Sequence, residues 1–235
     1  MRAVIDQYLP LILFGVPLLA ILVFLISAGF LKKRNRTRAF QELSGRLGLS
    51  LEEDTRTEAK KIGSLFQAFL RPDNVEISNL MKGELDRQTV VMVFDNSQYI
   101  HNMGDLKQTM VLFQDPGLSF PRFELSPRKK RLGLNTQSIQ RLGVRGKSAV
   151  SGFREVEITA DQGMQNNYKL RGMDAEKVRG YFTGIRTDFF STNQGWTVEG
   201  NQEWLLVYQH GRLVKPGNLP EFLEQSRNIL AGFRT

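Results

Sequence analysis

The longest uncharged stretch of the chain, residues 9–31, constrains the fold more than any other feature. None of its 23 residues is charged, and Leu, Ile, Val and Phe dominate it. As a helix rising about 1.5 Å per residue it would be roughly 34 Å long, against a bilayer hydrocarbon core of about 30 Å. A cleaved signal peptide has a shorter apolar core and a small-residue cleavage site. The sequence therefore predicts one permanent transmembrane helix at residues 9–31.

A cluster of basic residues follows the predicted span immediately and is called here the basic flank. Its members are Lys32, Lys33, Arg34, Arg36 and Arg38. Basic residues are retained on the cytoplasmic side of a membrane, so residues 1–8 are predicted to lie outside and the rest of the chain in the cytoplasm. The expected location is the inner (plasma) membrane of a bacterium. Each basic side chain also gains roughly 1 kcal/mol from anionic lipid headgroups, which makes the membrane surface an expected partner.

The net charge of +8 resembles that of a nucleic-acid-binding protein until it is divided along the chain. Residues 1–38 hold six of the basic residues and one of the acidic ones, which leaves 26 basic against 23 acidic residues, a balance of +3, in residues 39–235. No aromatic residue is interleaved with the basic flank, as single-stranded nucleic acid would require. We therefore expect no nucleic-acid partner.

The remaining residues, 39–235, are predicted to form one cytoplasmic domain of the α+β class, because predicted helices and strands segregate instead of alternating. Apolar residues at helical spacing predict four helices, at residues 40–47, 55–69 and 174–189 and from residue 218 onwards. Four strands of one antiparallel meander are predicted at 75–81, 89–94, 109–113 and 120–125, with Pro121 and Pro127 confining the last to an edge or a strand end. Two more, at 153–159 and 168–171, are predicted to pair with each other. Whether one sheet or two results stays open.

A hairpin is predicted close to the end of the chain, between residues 196–199 and 202–208. Gly200 and Asn201 have the character of a two-residue turn. Across such a turn Val198 would face Glu203. Trp204, Leu206 and Tyr208 would all point to the other side of the strand.

The sequence contains few patterns that indicate catalytic chemistry. Residues 143–148 lack the glycine spacing of a phosphate-binding loop, and His101 and His210 each stand alone, whereas metal sites need several ligands. Four aspartates in or beside predicted turns have the role of hydrogen-bonding the backbone: Asp86, Asp95, Asp105 and Asp115. The chain contains no cysteine. We expect no cofactor, no metal and no enzymatic activity.

Aromatic residues concentrate in the predicted strands, and most of them have the character of core residues. Trp204 and Tyr208 on the last strand are the candidates for an exposed patch that docks a protein partner. That patch is the expected binding site of a membrane-tethered interaction or scaffold module.

Several segments resemble a family of bacterial single-pass membrane proteins of uncharacterised activity. They are residues 79–83, the strand 90–93, the sequence Phe94-Asp95-Asn96-Ser97-Gln98-Tyr99, and residues 121–125 and 196–208. The resemblance implies one N-terminal span joined to a cytoplasmic α+β domain. It implies no activity and no site residue.

Two alternatives to the scaffold hypothesis remain. An anionic-lipid-binding domain would place residues 128–131 on the same side as the basic flank. An enzyme would need a concave pocket that joins two or more of the histidines and turn aspartates.

Overall fold

A computed structural model describes residues 2–69, 76–100, 104–128, 152–157, 162–182, 189–190 and 194–234. The chain divides into two compact units, Met1–Leu43 and Ser44–Thr235.

The first unit is helical. Helix α1 runs over Arg2–Leu47, and Gly48, with a φ of +68°, ends it in the left-handed conformation that glycine adopts readily. The exposed fractions of Leu18, Phe24 and Phe30 are 70%, 71% and 70%. The side chains of residues 2–17, 20, 25 and 26 are not among those described. Within the described residues, no helix has both the length and the apolar composition that crossing a membrane requires.

The second unit is built on one sheet, which confirms the predicted α+β class. In the described residues nine strands pair in the order β1-β2-β3-β4-β9-β8-β5-β7-β6, and every pairing is antiparallel. The strands are β1 Ser50–Leu51, β2 Glu76–Glu84, β3 Val90–Ile100, β4 Gly104–Gln114, β5 Phe120–Pro127, β6 Arg154–Val156, β7 Tyr168–Gly172, β8 Thr197–Gln202 and β9 Trp204–Tyr208.

The predicted four-strand meander is correct for three strands and wrong for the fourth. Strands β2, β3 and β4 follow each other in space, but the β8-β9 hairpin lies between β4 and β5. Strand β5 is therefore an interior strand and not an edge. Its Pro121 lies in a register shift between Phe120 and Phe123, and Pro127 is its last residue, which are positions where a missing N–H is tolerated.

Helices cover both faces of the sheet, which we call front and back. Helix α2, Arg56–Leu65, packs on the front face over four neighbouring strands, β2, β3, β4 and β9. Three more described helices are α3 Gln162–Asn167, α4 Ala175–Phe182 and α5 Leu219–Phe233. On the back face, Phe123 packs against Phe182 of α4 at a ring-centroid distance of 4.9 Å, and Trp196 stacks on Phe222 of α5 at 4.9 Å.

One predicted helix end and one predicted turn differ from the structure. Helix α2 stops at Leu65, and the next residue is extended (φ −126°, ψ 154°), so Phe66 and Phe69 reach the core from either side of the turn at residues 67 and 68 and not from a helix. Asn166 and Asn167 close the short helix α3 instead of forming a turn. The predicted cap of α4 is confirmed, since Asp174 accepts the N–H of Lys177 at 3.1 Å.

The predicted turn of the last hairpin lies two residues too early in the chain, so each residue of β8 pairs with a residue four positions later than predicted. Asn201 pairs with Trp204, so the turn consists of Gln202 and Glu203, and Val198 lies opposite Val207. Glycine is needed at position 200 for another reason. A Cβ there would lie 2.2 Å from the Phe123 ring on β5, closer than real Cβ contacts come. Because residue 200 is a glycine, β8 can lie close to β5 beneath the Phe123 ring. In the sequence, the same glycine had the character of a turn residue.

Several interpretations fall outside the described residues. They concern His101, the helix proposed for residues 134–142, the loop 143–148, and the part of the α4 prediction at residues 183–188.

We expect Gly200→Ala to lower the free energy of unfolding by about 1 to 3 kcal/mol, because the new methyl group has to displace the Phe123 ring. Gly180→Ala is the matched control, since a Cβ there meets nothing within 4 Å on the exposed side of α4. Thermal unfolding of the full-length chain in detergent, followed by circular dichroism, compares the two. Equal midpoints would contradict the packing described for Gly200.

Candidate functional site

Both residues predicted to form an exposed docking patch are buried. The exposed fractions of Trp204 and Tyr208 are 5% and 4%, and both belong to the apolar cluster beneath α2. Lys61 of α2 lies over the Trp204 ring, 4.7 Å from its centroid. The prediction of an exposed patch at these positions is therefore corrected. Trp204, Leu206 and Tyr208 of β9 do lie on one face of the sheet, as the alternation predicted.

Six residues form a row across the front face, each directly opposite the next one on the neighbouring strand. One half of the row is apolar and the other half is charged. Residues directly opposite on neighbouring strands share a face, so each member of the row contacts the next. The row runs Leu112, Leu206, Glu199, Glu124, Arg171 and Glu155, from β4 to β6. Its apolar half lies under α2, and its charged half begins at Glu199. This carboxyl marks the boundary between the two halves.

Glu199 is a buried carboxyl with three sources of hydrogen bonds. Its exposed fraction is 2%. The Tyr208 hydroxyl donates to Oε1 at 2.9 Å, and the backbone N–H of Gln67 donates to Oε2 at 2.5 Å. The backbone N–H of Ala68 also interacts with it. The carboxyl therefore ties β8 to β9 and to the segment that follows α2.

That segment, Phe66-Gln67-Ala68-Phe69, is called here the strap. Phe66 and Phe69 are 4% and 2% exposed in the front-face core. Gln98 of β3 donates to the carbonyl of Ala68 at 3.0 Å. The carbonyl just before the strap, that of Leu65, accepts from Asn201 and Arg122 at 3.0 and 3.3 Å. Strands on both sides of β9 thus hold the strap across the front face.

The surroundings of Glu199 favour its neutral form. Burial raises the pKa of Glu199 most, and the charge of Glu124 raises it further, to about 8. The hydrogen bonds from Tyr208 and the strap oppose this rise without cancelling it. Burial and the two carboxylates also raise the pKa of Tyr208 well above its usual value. Carboxyls perturbed in this way occur in functional sites and in structural networks alike.

Two buried amides on the front face, one on β3 and one on β4, have side-chain atoms without hydrogen-bond partners. Asn96 and Gln108 are opposite each other on β3 and β4, and each is 1% exposed. In the described part of the chain, neither side-chain amide atom of Asn96 has a partner, nor does the amide nitrogen of Gln108. Leaving such groups unpaired costs about 1 to 3 kcal/mol each, which weakens this end of the front face.

A second polar site lies at an open pocket of about 540 Å³. Asp86, Asp115 and Arg234 line it, together with neighbouring turn residues. The Arg234 guanidinium contacts Asp86 Oδ2 at 3.0 Å and Asp115 Oδ2 at 2.7 Å, and it also bonds to the Thr89 hydroxyl. This pocket joins two of the turn aspartates, which is the geometry that the enzyme hypothesis required.

The carboxylates of that pocket are already fully engaged. The Oδ1 atom of Asp86 accepts the N–H groups of Gln88 and Thr89, and Oδ1 of Asp115 accepts that of Gly117. Burial raises the pKa of Asp86, but these N–H groups, with Thr89 and Arg234, outweigh it and lower the pKa to about 2. An ionised carboxylate with both oxygens occupied suits a structural clamp better than proton transfer.

Other predicted sites are placed as follows. In the basic flank, Lys32, Lys33, Arg34 and Arg38 are exposed, and the Arg36 guanidinium lies 4.9 Å from the Phe40 ring centroid. His210 is half-buried, and residues 129–131 fall outside the described part. Among the residues that the structure describes, no group of three or more His, Asp or Glu is arranged to hold a metal ion.

Sequence reasoning missed the residues that carry the polar chemistry: Glu124, Glu199 and Arg234. One signal for Glu199 was present. A turn placed two residues later in the chain puts Glu199 opposite Leu206, on the face of Trp204 and Tyr208.

Comparisons with known proteins bear on the fold. No protein-family model matches the chain, and no curated protein matches it. The crystal structure of the mycobacterial trehalose monomycolate transport factor A, TtfA, is similar, with a TM-score of 0.54 and 13% identity. The similarity covers 83% of this chain and 93% of that chain. At this identity the likeness concerns the fold alone.

We expect Tyr208→Phe to lower the free energy of unfolding by about 1 to 2 kcal/mol, because it removes the hydroxyl that donates to the buried Glu199 carboxyl. Tyr99→Phe is the control, since Tyr99 is 69% exposed on β3 and should change stability by less than about 0.5 kcal/mol. Denaturant unfolding of the full-length protein measures both. A larger effect at Tyr99 would show that the Tyr208 hydrogen bond contributes little.

We expect Arg234→Met to narrow the pH range over which the protein is stable. The folded-state pKa of Asp86 is depressed, so its contribution is present above its ordinary pKa of 3.8 and is lost as the pH falls towards 2. Removing the guanidinium removes part of that contribution. Thermal midpoints between pH 3 and pH 7 measure it, with Arg227→Met as the control, since Arg227 pairs with Glu224 on the same helix, α5. Parallel pH profiles for the wild type and Arg234→Met would contradict the clamp.

Proposed function

We propose that this protein is a single-pass membrane protein whose second unit acts as a membrane-tethered binding module. Its anchor is residues 9–31, residues 1–8 lie outside, and the sheet domain lies in the bacterial cytoplasm. The observation that carries the proposal is the uncharged 23-residue run followed directly by the basic flank.

The geometry of α1 supports the anchor. The run and the flank belong to one helix, so they can lie along a single axis across the bilayer and its surface. Large apolar side chains at its described positions face solvent, with exposed fractions of 56% for Ile21 and 55% for Val23. Contiguous exposed apolar surface is unfavourable in water, and a lipid environment removes that cost.

The two polar sites support binding over catalysis. The Glu199 carboxyl is enclosed by the strap and by β9, which leaves it 2% exposed to a substrate. The carboxylates of Asp86 and Asp115 are committed to Arg234 and to backbone N–H groups. A catalytic acid or base has to reach the reacting atoms with its proton or lone pair free.

The name of the structural neighbour is consistent with an accessory role. TtfA is described as a transport factor. By analogy of fold, this chain would assist a process at the membrane by binding a component of it. The analogy does not extend to a particular lipid, because fold alone does not fix a ligand.

A contact between the basic flank and anionic headgroups forms part of the proposal. Lys32, Lys33, Arg34 and Arg38 are exposed and follow the proposed anchor within one to two helical turns. Their attraction to the cytoplasmic leaflet would favour the proposed orientation and weaken as ionic strength rises.

The anchor is tested by Leu19→Asp combined with Val23→Asp. Each Asp at the centre of a span costs about 2.5 to 3.5 kcal/mol on the insertion scale, so we expect the chain to leave the membrane fraction on carbonate extraction. Asn218→Asp combined with Asn228→Asp adds the same charge at exposed positions of the second unit and should stay in the membrane. An activity reporter fused after Thr235 reads the orientation. Unchanged extraction of the first variant would exclude the anchor.

The binding function is tested with a photoreactive residue at Tyr99 or Met173, which are 69% and 46% exposed. Cells expressing the full-length protein should give discrete crosslinked adducts that disappear in the double-Asp variant, because the tether concentrates the domain near its partner. Adducts that persist without the anchor would contradict a membrane-tethered module, as would their absence from both positions.

A further inference from the structure

The inference concerns the two buried amides of the front face, Asn96 on β3 and Gln108 on β4, and it does not rest on the proposed function. The two residues lie directly opposite each other, and each is 1% exposed. Directly opposite side chains have Cβ atoms about 4.5 to 5.5 Å apart, so the amides are close neighbours. Within the described part of the chain, Asn96 Nδ2, Asn96 Oδ1 and Gln108 Nε2 nevertheless bond neither to each other nor to another group.

The orientation of the Gln108 amide is fixed by its oxygen. Gln108 Oε1 accepts the backbone N–H of Gly211 at 3.1 Å. An amide nitrogen could not accept that N–H, so the oxygen and not the nitrogen has to lie on this side. The Nε2 group is therefore left as a donor. Together the two side chains offer two N–H donors and one carbonyl acceptor.

The surroundings of the pair select a neutral ligand. On the front face of β2, β3 and β4, the nearest neighbours of the two amides are uncharged side chains: Ile77, Phe94, Gln98, Leu106 and Met110. These strands supply no cation to balance a buried anion and no carboxylate to hold a metal ion. The ligand also has to accept hydrogen bonds and donate one, which a hydroxyl group does.

We propose that Asn96 and Gln108 form a binding site for one ordered water molecule within the front face. The water oxygen accepts an N–H from Asn96 Nδ2 and one from Gln108 Nε2, and the water donates a hydrogen to Asn96 Oδ1. One water can bond the N–H and the C=O of the same amide because the two groups lie side by side. Three hydrogen bonds are the usual number for a water enclosed in a protein, and they remove the cost of leaving the amides unpaired.

The water extends the cross-links of the sheet beyond the end of β9. Strand β9 pairs with β4 only as far as Tyr208, which lies opposite Met110. Past this point, Gln108 holds the loop after β9 through the N–H of Gly211. The water joins the Gln108 amide to Asn96, so β3, β4 and that loop share one polar network beside the apolar cluster.

Nuclear magnetic resonance of the full-length protein in detergent micelles, with 15N in the side-chain amides of Asn and Gln, tests the site. The NH2 groups of Asn96 and Gln108 should show cross-peaks to water with NOE and ROE of opposite sign, as for a water that tumbles with the protein. Gln98 is the control, since it shares their face of the sheet but its Nε2 already donates to the carbonyl of Ala68 at 3.0 Å. Absence of the cross-peaks from Asn96 and Gln108 would overturn the proposal, as would cross-peaks of equal intensity at Gln98.

A variant separates a bound water from a signal relayed by a hydroxyl group that exchanges with solvent. Asn96→Leu removes two of the three partner atoms and leaves every hydroxyl in place, so the water cross-peak of Gln108 should be lost. A signal relayed from the Tyr208 hydroxyl would persist and would overturn the proposal. Asn228→Leu, at an exposed position of α5, is the matched control and should leave the Gln108 cross-peak unchanged.

A crystal structure of the full-length wild type keeps the test decisive if Asn96→Leu fails to fold. A water oxygen should lie about 2.7 to 3.2 Å from each of Asn96 Nδ2, Asn96 Oδ1 and Gln108 Nε2. A direct hydrogen bond between the two amides, a side chain in place of the water, or no density at this position would overturn the proposal.

Discussion

The pairing of the β8-β9 hairpin with β4 on one side and β5 on the other holds the second unit together. Without it, the three-strand meander β2-β3-β4 and the strands β5, β7 and β6 would be separate sheets with exposed edges. The junction is tight because Gly200 lets β8 lie under the Phe123 ring. Both helical layers depend on this continuity, since α2 covers the front of β9 and α5 packs on the back of the hairpin through Trp196 and Phe222.

The same hairpin places the polar chemistry of the domain. Glu199 lies where the apolar half of the front face meets the charged half, so it is desolvated on one side and faces Glu124 on the other. The strap completes its enclosure by donating backbone N–H groups. A carboxyl in this position joins the strap to β8 and β9. The pocket at Arg234 differs, because its guanidinium pairs with both carboxylates there.

Local pattern predicted most elements of the second unit but not their neighbours. Strand-like patterns located β2, β3, β6, β7 and β9, with a β-branched run at β3, and the capping aspartate located α4. The sequence could not reveal that β5 leaves β4 and pairs with β8, because long-range pairing leaves no periodic trace. Gly200 and Asn201 led to a turn being predicted at the wrong position. The sequence does not distinguish a glycine that is needed for close packing from one that is needed for a turn.

By itself, the sequence determined the uncharged run at residues 9–31, the basic flank, the α+β class and the face shared by Trp204, Leu206 and Tyr208, because each follows from composition or from a short period along the chain. The tertiary structure alone decided that this face is covered, that Glu199 shares it and that Arg234 joins Asp86 to Asp115. Burial and charge pairing arise between residues distant in sequence, and the pKa of a carboxyl follows from those neighbours and not from its own position in the chain.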